Sequence, residues 1–462
     1  MNFIDKSVSY TEQLLADLSG LIAIPSVRGE AQQKLNAPFG MECRRALDYM
    51  MDLGRREGFE VQDVDGYACV LSYGEGTDSI GVLGHLDVVP EGSGWSKEPF
   101  ALTQKGDILF GRGVADDKGP GMAAFYALKM IKDAKLSLSK KVMLIYGCDE
   151  ESGMECMDYY VKHAEVPQMG FVPDADFPVI YGEKGGLNIE LNGPCESVIC
   201  SLSGGERSNI VIEYAEATLS KWDEQKAQLF DFYLQANQLT GSVAVKQNQA
   251  VISIRGKSAH AATPYLGVNA ALHLLNFVGT AFQDEFAQKT YALLSDWQGS
   301  GIHCQYEGAY MGFLTLNIGL IHMNEHKADI LLDIRYPNDI TADYIAAQIN
   351  SAIKEMDYPL KPVIKKQVNP LFVDPNSELV TTLMDVYRTY SNDTFHPAKT
   401  IGGGTYAKKL ANFVAYGPEF PRNPSECSDE IGGVHQPDEG MYLSDLQKAV
   451  AIYAQAIYRL AK

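Results

Sequence analysis

The sequence predicts an α/β fold: a mainly parallel sheet flanked by helices, interrupted by an inserted α+β domain. Three observations lead there. Helical and strand patterns alternate through the first stretch, up to about residue 184. From about Gly185 to Asn376 strands become frequent, and beyond that the first texture returns. At 462 residues the chain is also too long for one ordinary core. The expected division is therefore 1–184 and 377–462 as two pieces of one domain, with 185–376 inserted between them.

The elements follow in order. Tyr10–Ile24 carries Leu14, Leu15, Leu18, Leu21 and Ile22 at helical spacing, and Pro38–Gly58 is a second helix. Strands are expected at Phe59–Val64, Tyr67–Tyr73, Ile80–Gly84, Lys141–Tyr146 and Met169–Val172, with helices at Gly119–Lys132 and Glu155–His163. In the insert, "GGLNIELNG", "ESVICSLSGG", "QAVISIRG", "FLTLNIGLI" and "KADILLDIRYP" read as strands. Helices are expected there at Lys221–Gln238, Asn269–Phe282 and Ala342–Glu355. The last part offers a helix at Leu379–Tyr390, a glycine loop at Gly402–Gly404, a strand at Asn412–Tyr416 and a long helix at Met441–Leu460.

Composition narrows the function classes. Apolar residues make up 46% and charged residues 21%, as in an ordinary folded protein. A net charge of −20 repels phosphate backbones, so no nucleic-acid partner is expected. No apolar run reaches the ~18 residues of a membrane helix, and the start "MNFIDKSVSYTEQ" is no secretion signal; a cytoplasmic location and no membrane partner are expected. The eight cysteines are scattered with no C-x-x-C pair, and read as reduced.

Chemistry gathers at strand ends. His85 and Asp87 in "GHLDVVPEGSGW" stand two apart, so both can project the same way past a buried strand. Asp87 would then hold the His85 ring, although a loop histidine beside a turn-forming aspartate is the better reading of that stretch alone. "FGRGVADDKGPG" puts Asp116 and Asp117 before a helix, where acids also serve as caps. Asp116 occupies the place of the third glycine of a dinucleotide fingerprint, which makes a Rossmann reading poor. "GCDEESG" adds Asp149, Glu150 and Glu151, and "PDADFP" adds Asp174 and Asp176. "GGVHQPDEG" contributes His435. Clustered carboxylates repel one another unless cations hold them. Carboxylates with histidines and no thiolates suit divalent metals: zinc first, with manganese or cobalt also fitting. Three carboxylates and a hydroxide would neutralise two dications. "IGGGTYAKKL" sets three glycines before a helix start, an anion cradle of Gly403, Gly404 and Thr405, with a flexible loop capped by Thr405 as the alternative. No Gly-Lys-Ser/Thr follows, so a carboxylate suits it better than a phosphate.

Taken together, these stretches with "GEKG", "GKSAHAATPYLGVNA" and "DIRYP" resemble the co-catalytic metallopeptidases that include acetylornithine deacetylase, succinyl-diaminopimelate desuccinylase, carboxypeptidase G and the PepV-type dipeptidases. "EESG", "PDADFPVIYGEKG" and the size of the insert point to the PepV-like branch. The resemblance implies that His85 and Asp174 hold one metal, Glu151 and His435 the other, and Asp116 bridges both. It makes Glu150 the general base and implies a cis peptide at Asp116–Asp117. The residues by themselves choose neither between Glu150 and Glu151 nor between Asp116 and Asp117. In the insert, which resembles the family's lid, His260 would stabilise an oxyanion, Arg335 would grip a substrate carboxylate and Asn209 would contact substrate. Ile212 stands where the family usually has proline, which weakens the Asn209 match. The implied activity is dipeptide hydrolysis by a monomer, on unblocked dipeptides that include Xaa-His or β-Ala types. The same chemistry on N-acyl amino acids, or a non-catalytic peptide- or metal-binding protein, are the alternatives.

Overall fold

The computed structural model describes residues 3–246 and 249–462. Two compact units emerge. One runs up to Tyr181 and resumes over Val373–Lys399 and Gly404–Lys462. The other is Gly182–Phe372 with Thr400–Gly403.

The centre of the first unit is four parallel strands side by side: Lys141–Gly147, Ser79–His85, Met169–Val172 and Phe413–Ala415. Every residue of Ser79–His85 is buried, which explains why it reads as an apolar run without alternation. Parallel neighbours need crossovers, supplied by the helices Lys118–Asp133 and Glu155–His163. Lys118 through Ile131 are all buried, because this helix lies between the sheet and the final helix Leu443–Ala461. Antiparallel strands extend the sheet on one side, Ala68–Tyr73 and then Glu60–Val64. The helix Met41–Glu57 stops at Gly58, whose φ of 74° is the left-handed end that glycine adopts freely. The four central strands share one direction. His85, the acids after Gly147 and Asp174 after Val172 therefore emerge at one edge of the sheet.

The second unit is an eight-stranded antiparallel sheet. Its order is Thr240–Lys246, Gln249–Arg255, Tyr214–Leu219, Ile199–Gly204, Thr315–Asn324, Lys327–Tyr336, Gly185–Pro194 and Lys361–Val368. Period-2 burial marks one covered face: Leu187, Ile189 and Leu191 of one strand join Ile330, Leu332 and Ile334 of its neighbour. The same core takes Leu274 and Val278 from the helix Ala270–Phe282, and Ile345 and Ile349 from Ala342–Glu355. Asn269 starts the first of these helices by accepting the N–H groups of Ala271 and Leu272.

Several expectations shift. The last helix begins at Leu443, not Met441, because Gly440–Tyr442 is a short strand paired with Ile108–Phe110. The glycines at 402–404 precede a four-residue 3₁₀ turn, Tyr406–Lys409, and not a helix. Elements that the sequence reading does not contain include the strands Tyr214–Leu219, Thr240–Lys246 and Lys361–Val368 and the helix Glu285–Leu294. Thr240–Lys246 is exposed at every residue, so it has no apolar face to betray it, and its pairing with Gln249–Arg255 alone makes it a strand. The eight cysteines are all free. Among the described residues no helix is long and apolar enough to cross a membrane.

Candidate metal centre

In the first unit the strand ends deliver two groups of possible ligands. His85, Asp116 and Asp174 offer atoms within 4.8 Å of one another, and so do Asp116, Glu151 and His435. Asp116 belongs to both. Its Oδ1 lies 2.8 Å from His85 Nε2 and its Oδ2 lies 3.0 Å from His435 Nε2. Asp174 Oδ2 stands 3.8 Å from His85 Nε2, and Glu151 Oε1 2.9 Å from His435 Nε2. The Asp116–Asp117 peptide is cis. His435 itself has a φ of 65°, an uncommon conformation that histidine enters more readily than most side chains.

The surroundings decide which atom does what. His85 Nδ1 donates to the main-chain carbonyl of Asp87 at 2.9 Å, so the Nε2 lone pair is the one turned toward Asp116. Asp87 thus orients the ring chiefly through its backbone, with its carboxylate 3.5 Å away. That carboxylate has another use: Oδ1 and Oδ2 accept the N–H groups of Glu150 and Glu151, each at 3.1 Å. It holds the turn on which both glutamates ride. Asp117, which the sequence left level with Asp116, is fully buried and turned away, its Oδ2 accepting the His85 N–H at 3.0 Å. It is not the N-cap of Lys118–Asp133 by side chain. Asp176 pairs with Lys399 instead of joining the groups. Behind Asp174, Gly417 packs under the Phe177 ring. A Cβ there would lie 2.4 Å from the ring, at a φ of 68°, so only glycine lets the chain turn.

The charges are under pressure. Burial pushes Glu150 up to about 8, and the charges of Asp116, Glu151 and Asp87 add to it against His85. Burial and the Asp116 charge hold Asp174 well above the usual carboxylate range. Hydrogen bonds to Asp116 and Glu151 lift His435 to about 10. For His85, burial pulls downward, but Asp116, Asp87 and Asp174 outweigh it and raise the ring well above its ordinary value. Each Nε2 therefore faces two carboxylate oxygens, an arrangement that needs a positive charge at its centre. A proton or a metal cation meets that need, and an all-nitrogen-and-oxygen donor set without thiolate fits a divalent cation.

Within the second unit, the backbone of Asn209–Val211 pairs with the His260 loop: Ala261 N–H donates to Asn209 O and Val211 N–H to Ala259 O, each at 2.9 Å. His260 Nδ1 accepts the Ala262 N–H at 3.1 Å, which leaves the ring proton on Nε2. Lost solvation and the Arg335 charge lower its pKa, so that ring is neutral. Arg335 meets Asp333 through Nε at 2.6 Å and Nη2 at 3.0 Å, and reaches Gly402 O through Nη1 at 3.3 Å. One N–H on each Nη is left over from these contacts. Gly402 packs against Ala262, and a Cβ on it would come within 2.4 Å. In the first unit Thr405 caps the 3₁₀ turn by accepting the Ala407 N–H. Gly403 falls in the second unit, and Gly404 with Thr405 in the first.

Residues that sequence reasoning passed over lie beneath the centre, Arg112 and Glu439 above all, each 1% exposed. Glu439 stands in the quoted "HQPDEG", but its partners are backbone groups far away in the chain, which leave no pattern to read.

Histidines and acids converging where parallel strands end, in a chain with a second α+β unit, define a hydrolase of the metallopeptidase class. The model of Peptidase family M20/M25/M40 matches residues 81–459, and the chain belongs to that family. It is 36% identical over 473 residues to a protein of Staphylococcus aureus (strain bovine RF122 / ET3-1) named "Putative dipeptidase", covering 99% of this chain and 98% of that one. The structure of aminopeptidase PepT from Bacillus cereus ATCC 10987 is similar at a TM-score of 0.58 and 15% identity, over 98% of this chain and 99% of that one. A Bacillus subtilis protein described as a dinuclear metal binding peptidase from the M20 family is similar at a TM-score of 0.51 and 10% identity, over 98% and 99%. At such identities these two likenesses speak for the fold.

Asp87→Ala tests the turn under the glutamates. It strips the acceptor from two N–H groups, at about 1–3 kcal/mol for each one left unsatisfied. The metal-free protein should melt at a lower temperature, followed by circular dichroism, and an unchanged melting curve would contradict this account of Asp87.

Proposed function

We propose that the chain is a metal-dependent dipeptidase that hydrolyses the amide bond of unblocked dipeptides, Xaa-His and β-Ala types among them. The observation that carries this reading is Asp116 facing one histidine with each oxygen. The dipeptidase name of the S. aureus relative supports it. His85, Asp116 and Asp174 would hold one divalent cation and Asp116, Glu151 and His435 another, zinc first, with manganese or cobalt also suited. When bound, such cations supply Lewis-acid chemistry and charge neutralisation.

The remaining work belongs to the chain. Glu150 sits beside both ligand groups without joining either, and burial raises its affinity for a proton, which suits a group that takes one from water and passes it on. It then hands that proton to the leaving amine. His260, neutral with its proton on Nε2, donates to the carbonyl oxygen as that oxygen becomes negative. Arg335 is held flat by Asp333, and its two spare N–H groups form a fork for the substrate's terminal carboxylate. Asn209, Gly403, Gly404 and Thr405 complete the contacts at that end. The second unit acts as a lid over a short substrate, and the working form is a cytoplasmic monomer that uses its own His260.

A substrate panel after chelation and metal add-back tests the activity. Unblocked dipeptides should be cleaved only with zinc, manganese or cobalt restored, and C-terminally amidated dipeptides more slowly. Faster turnover of N-acetyl or N-succinyl amino acids would reassign the enzyme as a deacylase. Glu150→Ala should keep its metal content and lose about 10²–10⁴ in kcat, and His260→Ala about 10²–10³. Near-normal turnover in either variant would remove the role given to that residue. Light scattering should report a single chain; a dimer whose activity returns on mixing two inactive variants would overturn the monomer.

A further inference from the structure

Beneath the two ligand groups lies a buried ion pair that no step above employs. Arg112 Nη1 meets Glu439 Oε2 at 2.6 Å, and both side chains are 1% exposed. The other oxygen of Glu439, Oε1, accepts three backbone N–H groups, from Gly113 at 3.0 Å, Ala115 at 3.0 Å and Asp116 at 3.2 Å. It therefore grips the turn that presents Asp116. The main chain of Glu439 meanwhile closes the loop that presents His435. It bridges to Gly432, and its carbonyl accepts the Gly111 N–H at 3.0 Å.

Arg112 adds a third segment. Its Nη2 donates to the carbonyls of Pro90 at 3.4 Å and Glu91 at 3.2 Å, in the loop that leaves His85 and Asp87. Its Nη1 also reaches Gln436 O at 3.4 Å, one residue past His435, and the guanidinium lies 5.1 Å from the centre of the Trp95 ring. Gly113 has a φ of 88°, and a Cβ on it would lie 2.9 Å from Val88 Cγ1, so this crowded turn has no slack. Charges out of water persist only where geometry and hydrogen bonding are good. Here each end of the pair holds loops that carry ligands, and neither side chain enters the ligand groups.

We propose that the Arg112–Glu439 pair is the positioning device of the metal centre: by clamping the Asp116 turn to the His435 loop it sets how tightly Asp116, Glu151 and His435 hold their divalent cation. The proposal rests on the two-cation reading above. Partners behind metal ligands typically account for about 10–100-fold in metal affinity or activity.

Calorimetric titration of the metal-free protein with Zn²⁺ separates the two ideas. Wild-type protein that takes up fewer than two equivalents would end the two-cation reading itself. With two equivalents bound by wild type, Glu439→Gln should weaken at least one of them about 10–100-fold. The double variant Arg112→Met with Glu439→Gln leaves no buried charge alone, and it should keep its metal-free circular dichroism spectrum while losing the same affinity. Wild-type affinity for both equivalents in either folded variant would overturn the proposal. A double variant unable to fold without metal would assign the pair to stability alone, and would overturn it too.

Discussion

Asp116 has two oxygens and faces two imidazoles, one with each. Everything around the centre follows from having to satisfy that geometry. His85 must arrive at the end of a buried strand with its ring fixed from behind, and the Asp87 carbonyl does this. His435 must arrive from the far end of the sequence, on a loop closed by Gly432 and Glu439. Glu151 and Asp174 then fill the places that remain. Crowding so many carboxylates into a partly dry space has an electrostatic cost, visible in the raised values of Glu150 and Asp174. The same crowding separates roles. Glu150 is buried outside both ligand groups, and burial pushes its proton affinity up to about 8.

The second unit solves a different problem. A twisted antiparallel sheet with one covered face gives rigid positions on its other face and at its loops. Asp333 and Arg335 stand two apart on one strand, so their side chains share a face, and the carboxylate stops the long guanidinium arm from wandering. The His260 loop is pinned by the backbone of Asn209–Val211, and the Ala262 amide selects the ring tautomer. The His260 ring and the Arg335 guanidinium are thereby both held in place.

Much of this was legible in the chain. Buried parallel strands announced themselves as apolar runs followed at once by acids, as in "VMLIYGCDEESG", because a strand covered on both faces has no polar side to show. The alternation in "KADILLDIRYP" similarly revealed a half-covered strand. Strands such as Thr240–Lys246 were illegible, since an exposed edge is defined by its neighbour and not by its own side chains. The 3₁₀ turn after Gly404 reads as a helix in the sequence because Thr405 caps both kinds of turn in the same manner.

The sequence by itself determined the kinds of donor available, their order along the chain and their arrival at strand ends. Only the tertiary structure brought Asp116 and Glu151, and not Asp117 or Glu150, into the groups of candidate ligands, and only it revealed Asp87 and Glu439 as holders of turns. The reason is physical. A side chain's ligand chemistry is written in its own identity, whereas the N–H groups that fix its direction belong to the backbone. Any residue but proline can supply those, from anywhere in the chain, and so they leave no mark in the letters.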